Sequence, residues 1–177
     1  MSSKPNTQNL NLAVIALGSN LGDSRKILLE AIPRLQVFSA APVLESSLWQ
    51  TSPVGCPPGS PKFMNSVAGL VPKPGETPET LVAKLQALEK EFGRRPKTIL
   101  NEPRPLDLDL IAFGMEMRSS PSLTLPHPRA HQRRFVLLPL GEIAPDLILP
   151  GQTRTVAELL AALGDLGTCE KIGGALA

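Results

Sequence analysis

The chain has 177 residues, 42% of them hydrophobic and 19% charged, with a formal net charge of +2 and a pI near 8.7. That length and balance suit a single domain over 1–177 with a well-buried core, and loose tails are expected at about 1–10 and 165–177. The charge supplies no general electrostatic case for a nucleic-acid partner, no apolar run approaches membrane-spanning length, and Cys56 and Cys169, which form neither a CxxC nor a zinc pattern, fit a reduced state better than a disulfide framework. A reduced, cytoplasmic protein with no obligatory protein partner is the expectation.

Leu10 to Leu17 is a short apolar run that ends in Gly18-Ser19-Asn20, which predicts a buried strand turning into a helix near Asp23. Ile27, Ala31 and Leu35 keep helical spacing, and Pro33 should kink or limit that helix. Val43–Thr51 and Phe63–Val71 read as two strands around the Gly/Pro-rich loop Pro53–Pro61. Thr77 as cap, Pro78 at the first position, the stripe Leu81, Leu85, Leu88, Phe92 and the stop at Gly93 define a second helix. A long loop leads to a strand at Leu106–Phe113, followed by a proline-rich loop, a helical Gln132–Leu138 and a last helix near Thr155–Leu163. The order β-α-β-β-α-β predicts an α+β, ferredoxin-like core: an antiparallel sheet carrying its helices on one face, with additional C-terminal helices.

Within the Leu106–Phe113 strand, alternation points Asp107 and Asp109 to one face and Leu106, Leu108 and Leu110 to the other. Strand rise separates the two acidic Cα atoms by roughly 6.5 Å, close enough to share one hard cation or to hold a pair about 3.5–4 Å apart. All-oxygen ligands favour magnesium or manganese over zinc. A solvated strand face is the plainer reading of the same two residues. Around them lie Arg94, Arg95, Lys97 and Arg104 upstream, and His127, Arg129, His131, Arg133 and Arg134 downstream. Guanidinium forks match phosphate oxygens, so acids and bases together suggest a magnesium nucleotide, although surface ion pairs would use the same residues.

No GxxxxGK[ST] occurs, and Gly18–Asp23 lacks the P-loop lysine, so a nucleotide must be held another way. That loop could cradle an anion or simply turn a strand into a helix capped by Asp23 or Ser24. Phe63 and Asn65 share a strand face, where ring and amide could stack on and read a flat heterocycle, or serve as core and hairpin residues. His127 and His131 stand four apart, but Pro128 between them and the lack of a third soft ligand argue against zinc and for a phosphate-facing His127.

In chain order, ALGSNLGD at 16–23, TSPVG at 51–55, FMN at 63–65, GRRP at 93–96, PRPLDLDL at 103–110, PHPR at 126–129 and RRFVLLPLGEIAP at 133–145 resemble the 6-hydroxymethyl-7,8-dihydropterin pyrophosphokinase family of folate biosynthesis. The resemblance runs from about Ala13 to Pro150 and leaves both tails uncovered. It implies transfer of diphosphate from ATP to the hydroxymethyl oxygen of 6-hydroxymethyl-7,8-dihydropterin, with AMP leaving. By the same resemblance Asp107 and Asp109 hold two Mg2+ ions, and Arg94 and Arg104 meet the transition state. Phe63 and Phe135 sandwich the pterin, Asn65 reads its edge, and Thr51, Ser52 and Val54 complete its pocket. Gln86 and Glu89, on the exposed side of the second helix, contact ATP together with Leu110, Thr124, His127 and Arg133.

Three positions depart from the family pattern: Asn101 replaces an aromatic residue, Pro96 the second arginine of GRxR, and Ser122 a basic residue. The loop is therefore expected to close differently, with Arg95 or Lys97 as imperfect substitutes. A non-catalytic or weakly active pterin- or nucleotide-binding relative is the alternative these departures raise, and a metal-dependent phosphodiesterase is the other reading of paired acids and arginines.

Overall fold

A computed structural model describes residues 11–53, 55–164 and 168–173. Five segments build one antiparallel sheet in the order β5-β1-β4-β3-β8: β1 (Ala13–Ser19), β3 (Leu48–Thr51), β4 (Phe63–Leu70), β5 (Asp107–Phe113) and β8 (Cys169–Gly173), with β2 (Leu44–Glu45) also paired to β4. The order β5-β1-β4-β3, with α1 (Ser24–Arg34) and α2 (Pro78–Glu91) as the crossovers, is the expected ferredoxin-like arrangement. A small hairpin of β6 (Arg118–Ser119) and β7 (Thr124–Leu125) follows, then α3 (Arg134–Ile143) and α4 (Val156–Leu163).

Both crossover helices begin where their caps dictate. The Asp23 side chain accepts from Lys26 N at 3.1 Å, and Thr77 and Thr80 form a reciprocal capping box ahead of Pro78. The stripe Leu81, Leu85, Leu88 packs with Leu28, Ala31 and Ile32 of α1 against Ile15, Leu17, Ala68, Leu108 and Leu110 of the sheet. Pro33 is tolerated one residue before the end of α1, and the chain continues as a 3-10 turn over Leu35–Phe38.

The two crossover helices share one face of the sheet, as the β-α-β-β-α-β order predicts, and the additional C-terminal helices cover the other. Val136, Leu137 and Leu140 of α3 and Val156 and Leu159 of α4 bury the opposite face against Val14, Val67 and Ile111. The cause is visible in β1, whose residues are apolar on both faces and almost all buried; a strand covered on one side alternates. Burial of that face also carries α3 through Pro139 to Ile143, beyond the expected stop at Leu138.

Two further expectations are corrected. The strand expected over Val43–Thr51 is broken at Ser46-Ser47, because the Ser46 hydroxyl accepts from Val67 N at 2.9 Å while Ser47 N turns to the Glu142 carboxylate, also at 2.9 Å. The segment expected as a loose tail from 165 contributes β8 at Cys169–Gly173, which adds to the free edge of β3. Lys171 of β8 lies 3.3 Å from Glu142, which also accepts from Trp49 Nε1 at 2.9 Å, so one carboxylate ties α3, β3 and β8 together. The tail expected at 1–10 lies outside the described residues.

Candidate active site

The α3/α4 face of the sheet stays open at one end, where a cleft of about 740 Å³ forms over β1, β3, β4 and β5. Strand register assembles its floor. Gly18 pairs with Asn65 on one side and Asp107 on the other, and Ala16 pairs with Asp109. A Cβ at position 18 would stand 3.5 Å from Asn65 Oδ1, 3.8 Å from Phe63 and 4.0 Å from the Asp107 Cβ, so glycine keeps the floor between these three groups low. Immediately past the acid pair, the register of β5 against β1 shifts between Val14 and Ile15, and Ile111 and Ala112 both turn to the α3/α4 side.

Asp107 and Asp109 share the cleft face while Leu108 and Leu110 point into the core below α2, as alternation requires. Asp107 is clasped by two arginines: Arg94 Nη1 bonds Oδ1, and Arg104 Nε lies 3.2 Å from Oδ2, an ion pair by proximity without hydrogen-bond alignment. Asp109 accepts no hydrogen bond from a described residue. Burial, and after it the Asp107 charge, push the Asp109 carboxyl up to about 6. Arg94 also donates to Glu89 Oε1 at 2.6 Å; although burial opposes its charge, Asp107 and Glu89 hold its pKa above the ordinary value.

Phe63 and Phe135 both line the cleft, and each ring faces a guanidinium: Arg104 stands 5.9 Å from the Phe63 centroid and Arg133 5.4 Å from that of Phe135. Asn65 donates from Nδ2 to Thr51 Oγ1 at 2.7 Å, which leaves its carbonyl oxygen to the floor. His127 is anchored through its backbone N–H to Ile111 O at 2.8 Å; burial, then Arg133 and Arg129, hold its imidazole below the usual pKa, favouring the neutral form.

Eleven of the site residues that the resemblance implies therefore line one cleft, Thr51, Ser52, Phe63, Asn65, Arg94, Arg104, Asp107, Asp109, His127, Arg133 and Phe135, and Lys97, Arg129 and Arg134 of the basic flanks join them. Val54 lies outside the described residues. Gln86 on α2 and Thr124 on β7 are exposed and outside the cleft lining, and the Leu110 side chain belongs to the core. Glu89 is not on the exposed side of α2. It is 7% exposed and turned toward β5, where Leu108 N donates to Oε1 at 2.6 Å, and burial pushes its carboxyl up to about 7.

Sequence reasoning missed Ala16 and Gly18 as the floor, and Leu163, Thr168 and Cys169 as wall. Thr168 reaches Ser52 through a 2.5 Å hydroxyl contact. Nothing local signals these, because Ala16, Gly18, Thr168 and Cys169 depend on strands pairing far apart in sequence and Leu163 on the docking of α4. Asn101, at φ 56°, also lines the cleft and donates to Gly55 O at 2.7 Å, joining the loop before β5 to the loop after β3.

The residues present fit a hard divalent cation. Both donors are carboxylates on one strand face, and Asp109 faces the cleft without a hydrogen-bond donor of its own. Among the described residues no group of three or more His, Cys, Asp or Glu is placed to hold a metal by itself. The remaining ligands would have to come from oxygen atoms of a bound molecule, as magnesium sites with phosphates arrange.

Paired carboxylates and several arginines in one cleft of a ferredoxin-like α+β sheet suit a protein that handles a phosphate-bearing substrate. The family model described as 7,8-dihydro-6-hydroxymethylpterin-pyrophosphokinase (HPPK) matches residues 14–145, and the chain belongs to that family. A 2-amino-4-hydroxy-6-hydroxymethyldihydropteridine pyrophosphokinase of Pseudomonas aeruginosa is 41% identical over 152 residues, covering 84% of this chain and 89% of that protein. One of Haemophilus influenzae is 37% identical over 154 residues, covering 86% and 93%. The folic acid synthesis protein fol1 of Pneumocystis carinii is 36% identical over 151 residues, but this chain, 85% of which is matched, spans only 20% of its length. Among solved structures, an HPPK-DHPS in complex with substrates superposes with a TM-score of 0.65 at 11% identity, covering 86% of this chain and 43% of that one, a likeness of fold. Among the described residues no helix is long and apolar enough to cross a membrane.

Proposed function

We propose that this chain is an ATP-dependent pterin diphosphokinase: the hydroxymethyl oxygen of 6-hydroxymethyl-7,8-dihydropterin bonds to the β-phosphorus of ATP, the bond from that phosphorus to the α-bridging oxygen breaks, and AMP leaves. The observation that carries this reading is the convergence, in one cleft, of an acid pair with the two aromatic rings and the amide that a flat heterocycle needs. Family membership and relatives that match this chain over most of their own length and carry that activity in their names support it.

The heterocycle lies between Phe63 and Phe135, where the guanidiniums of Arg104 and Arg133 now face the rings. Asn65, held by Thr51, presents its carbonyl oxygen to the heterocycle's N–H groups, and Ser52 completes the edge. Gly18 lets the ring plane approach the sheet. Asp107 and Asp109 are the residues that would hold magnesium, expected as two ions, and bound magnesium would supply charge neutralisation and alignment of the triphosphate. Arg94 and Arg104 stand beside Asp107, so charge that builds on a transferring group bound over the acid pair finds donors already in place. Arg133 and a neutral His127 form the rest of the anion-facing wall; Gln86, Leu110 and Thr124 are less well placed for ATP in this structure.

Incubation with Mg-ATP and the pterin tests the reading. AMP and pterin diphosphate in equal amounts are expected. ADP as product, or ATP hydrolysis independent of the pterin, would overturn it.

A further inference from the structure

The acid pair sits on β5, and among the described residues β5 is an edge of the sheet, so its outward backbone groups have no described strand to bond. One of these outward groups, the N–H of Leu108, lies between Asp107 and Asp109 in the chain, and it donates to the Glu89 carboxylate at 2.6 Å. The same Glu89 oxygen accepts from Arg94 Nη1 at 2.6 Å, and Arg94 Nη1 bonds Asp107. Glu89 itself faces away from the cleft and is not part of its lining. A carboxylate in that place cannot reach a nucleotide bound over Asp107 and Asp109 without leaving both partners, and a buried backbone N–H left behind would go unsatisfied.

We infer that Glu89 is a positioning residue: from behind the edge strand it fixes the backbone between the two aspartates and holds Arg94 against Asp107, so that both carboxylates are presented to metal at one spacing. This rests on the reading of Asp107 and Asp109 as the metal-holding pair. It differs from the nucleotide contact that the family resemblance implies for this position. Groups that orient metal-binding side chains typically change metal affinity or activity 10- to 100-fold when removed.

The test uses Mn2+ as a paramagnetic probe on the full chain, with binding read by electron paramagnetic resonance, beside calorimetric titration of a non-hydrolysable ATP analogue in chelator. Glu89→Gln keeps an acceptor for Leu108 N but loses the charge that holds Arg94; Glu89→Ala loses both. About tenfold weaker Mn2+ binding is expected for Glu89→Gln and a larger loss for Glu89→Ala, with metal-free analogue affinity unchanged within about twofold. Should Glu89→Ala fail to fold, Glu89→Gln alone decides. Analogue affinity falling in metal-free buffer would make Glu89 a nucleotide ligand, and a lowered melting temperature with unchanged Mn2+ binding would make it structural only; either overturns the inference. Because the Mn2+ readout needs no turnover, a wild-type protein that bound Mn2+ but formed no AMP would refute the diphosphokinase reading and leave this one standing, whereas failure of Asp107→Ala to weaken Mn2+ binding would remove the metal-holding pair itself.

Discussion

Asp109→Asn should stabilise the ligand-free fold while abolishing turnover. The Asp109 carboxyl is raised from 3.8 to about 6, by burial first and by Asp107 second. A rise of about two units corresponds to roughly 3 kcal/mol by which the ionised form is disfavoured in the folded protein. Asparagine keeps the shape without the charge, so above pH 6 the variant should gain about 2–3 kcal/mol, or some 5–10 °C in melting temperature for a chain of this size. The pH dependence follows from the same shift. Below about pH 4 the carboxyl is protonated whether the chain is folded or not, and the gain is absent. Between about pH 4 and 6 the folded wild type retains a proton that the unfolded chain releases, so wild-type stability falls as pH rises and the gap opens. Thermal melts of both proteins in chelator, at pH steps from 4 to 8, make the measurement. Melting temperatures that coincide at pH 8, or a gap that widens toward pH 4, would refute the reasoning. Saturating Mg2+ with an ATP analogue should narrow the gap at pH 8, since a cation bound to the wild type favours its ionised carboxylate.

Three other substitutions probe separate parts of the account. Gly18→Val places a branched side chain between Asn65 and Asp107 and should weaken pterin binding at least tenfold in a fluorescence titration, with the circular dichroism spectrum unchanged; normal affinity would show that the floor does not limit the ligand. Glu142→Ala leaves Trp49 Nε1 and Ser47 N without their acceptor and should cost about 2–4 kcal/mol in urea unfolding, whereas a change below about 0.5 kcal/mol would mean that the junction of α3, β3 and β8 is secured elsewhere. Arg104→Ala should lower kcat by about 10²-fold or more with little change in KM for ATP, as expected of a group that meets charge developing in the transition state; a pure KM effect would remove that role.

The parts of this site that could be read from the sequence are those set by local rules. Asp107 and Asp109 declare themselves through a period of two, and α2 through Thr77, Pro78 and its leucine stripe. Glu89 was also legible: it stands four residues after Leu85, on the buried stripe, and only its charge made it read as exposed. What local rules cannot supply is register. That Gly18 lies between Asn65 and Asp107, that β5 shifts at Ile111, and that Cys169–Gly173 finds the free edge of β3 all depend on pairing across long stretches of chain. The second helical layer had a signal, the two-faced apolar character of β1, which calls for the C-terminal helices on the face that α1 and α2 leave open.

On the proposed reading, Asp107 and Asp109 present divalent cations to the polyphosphate of a nucleotide lying beside the pterin. A crystal structure with Mg2+, a non-hydrolysable ATP analogue and the pterin tests it most directly. Carboxylate oxygens of both residues at about 2.1 Å from magnesium, with phosphate oxygens on the same ions and the hydroxymethyl oxygen facing the β-phosphorus, are predicted. Both side chains bare, or the polyphosphate bound away from them, would contradict it.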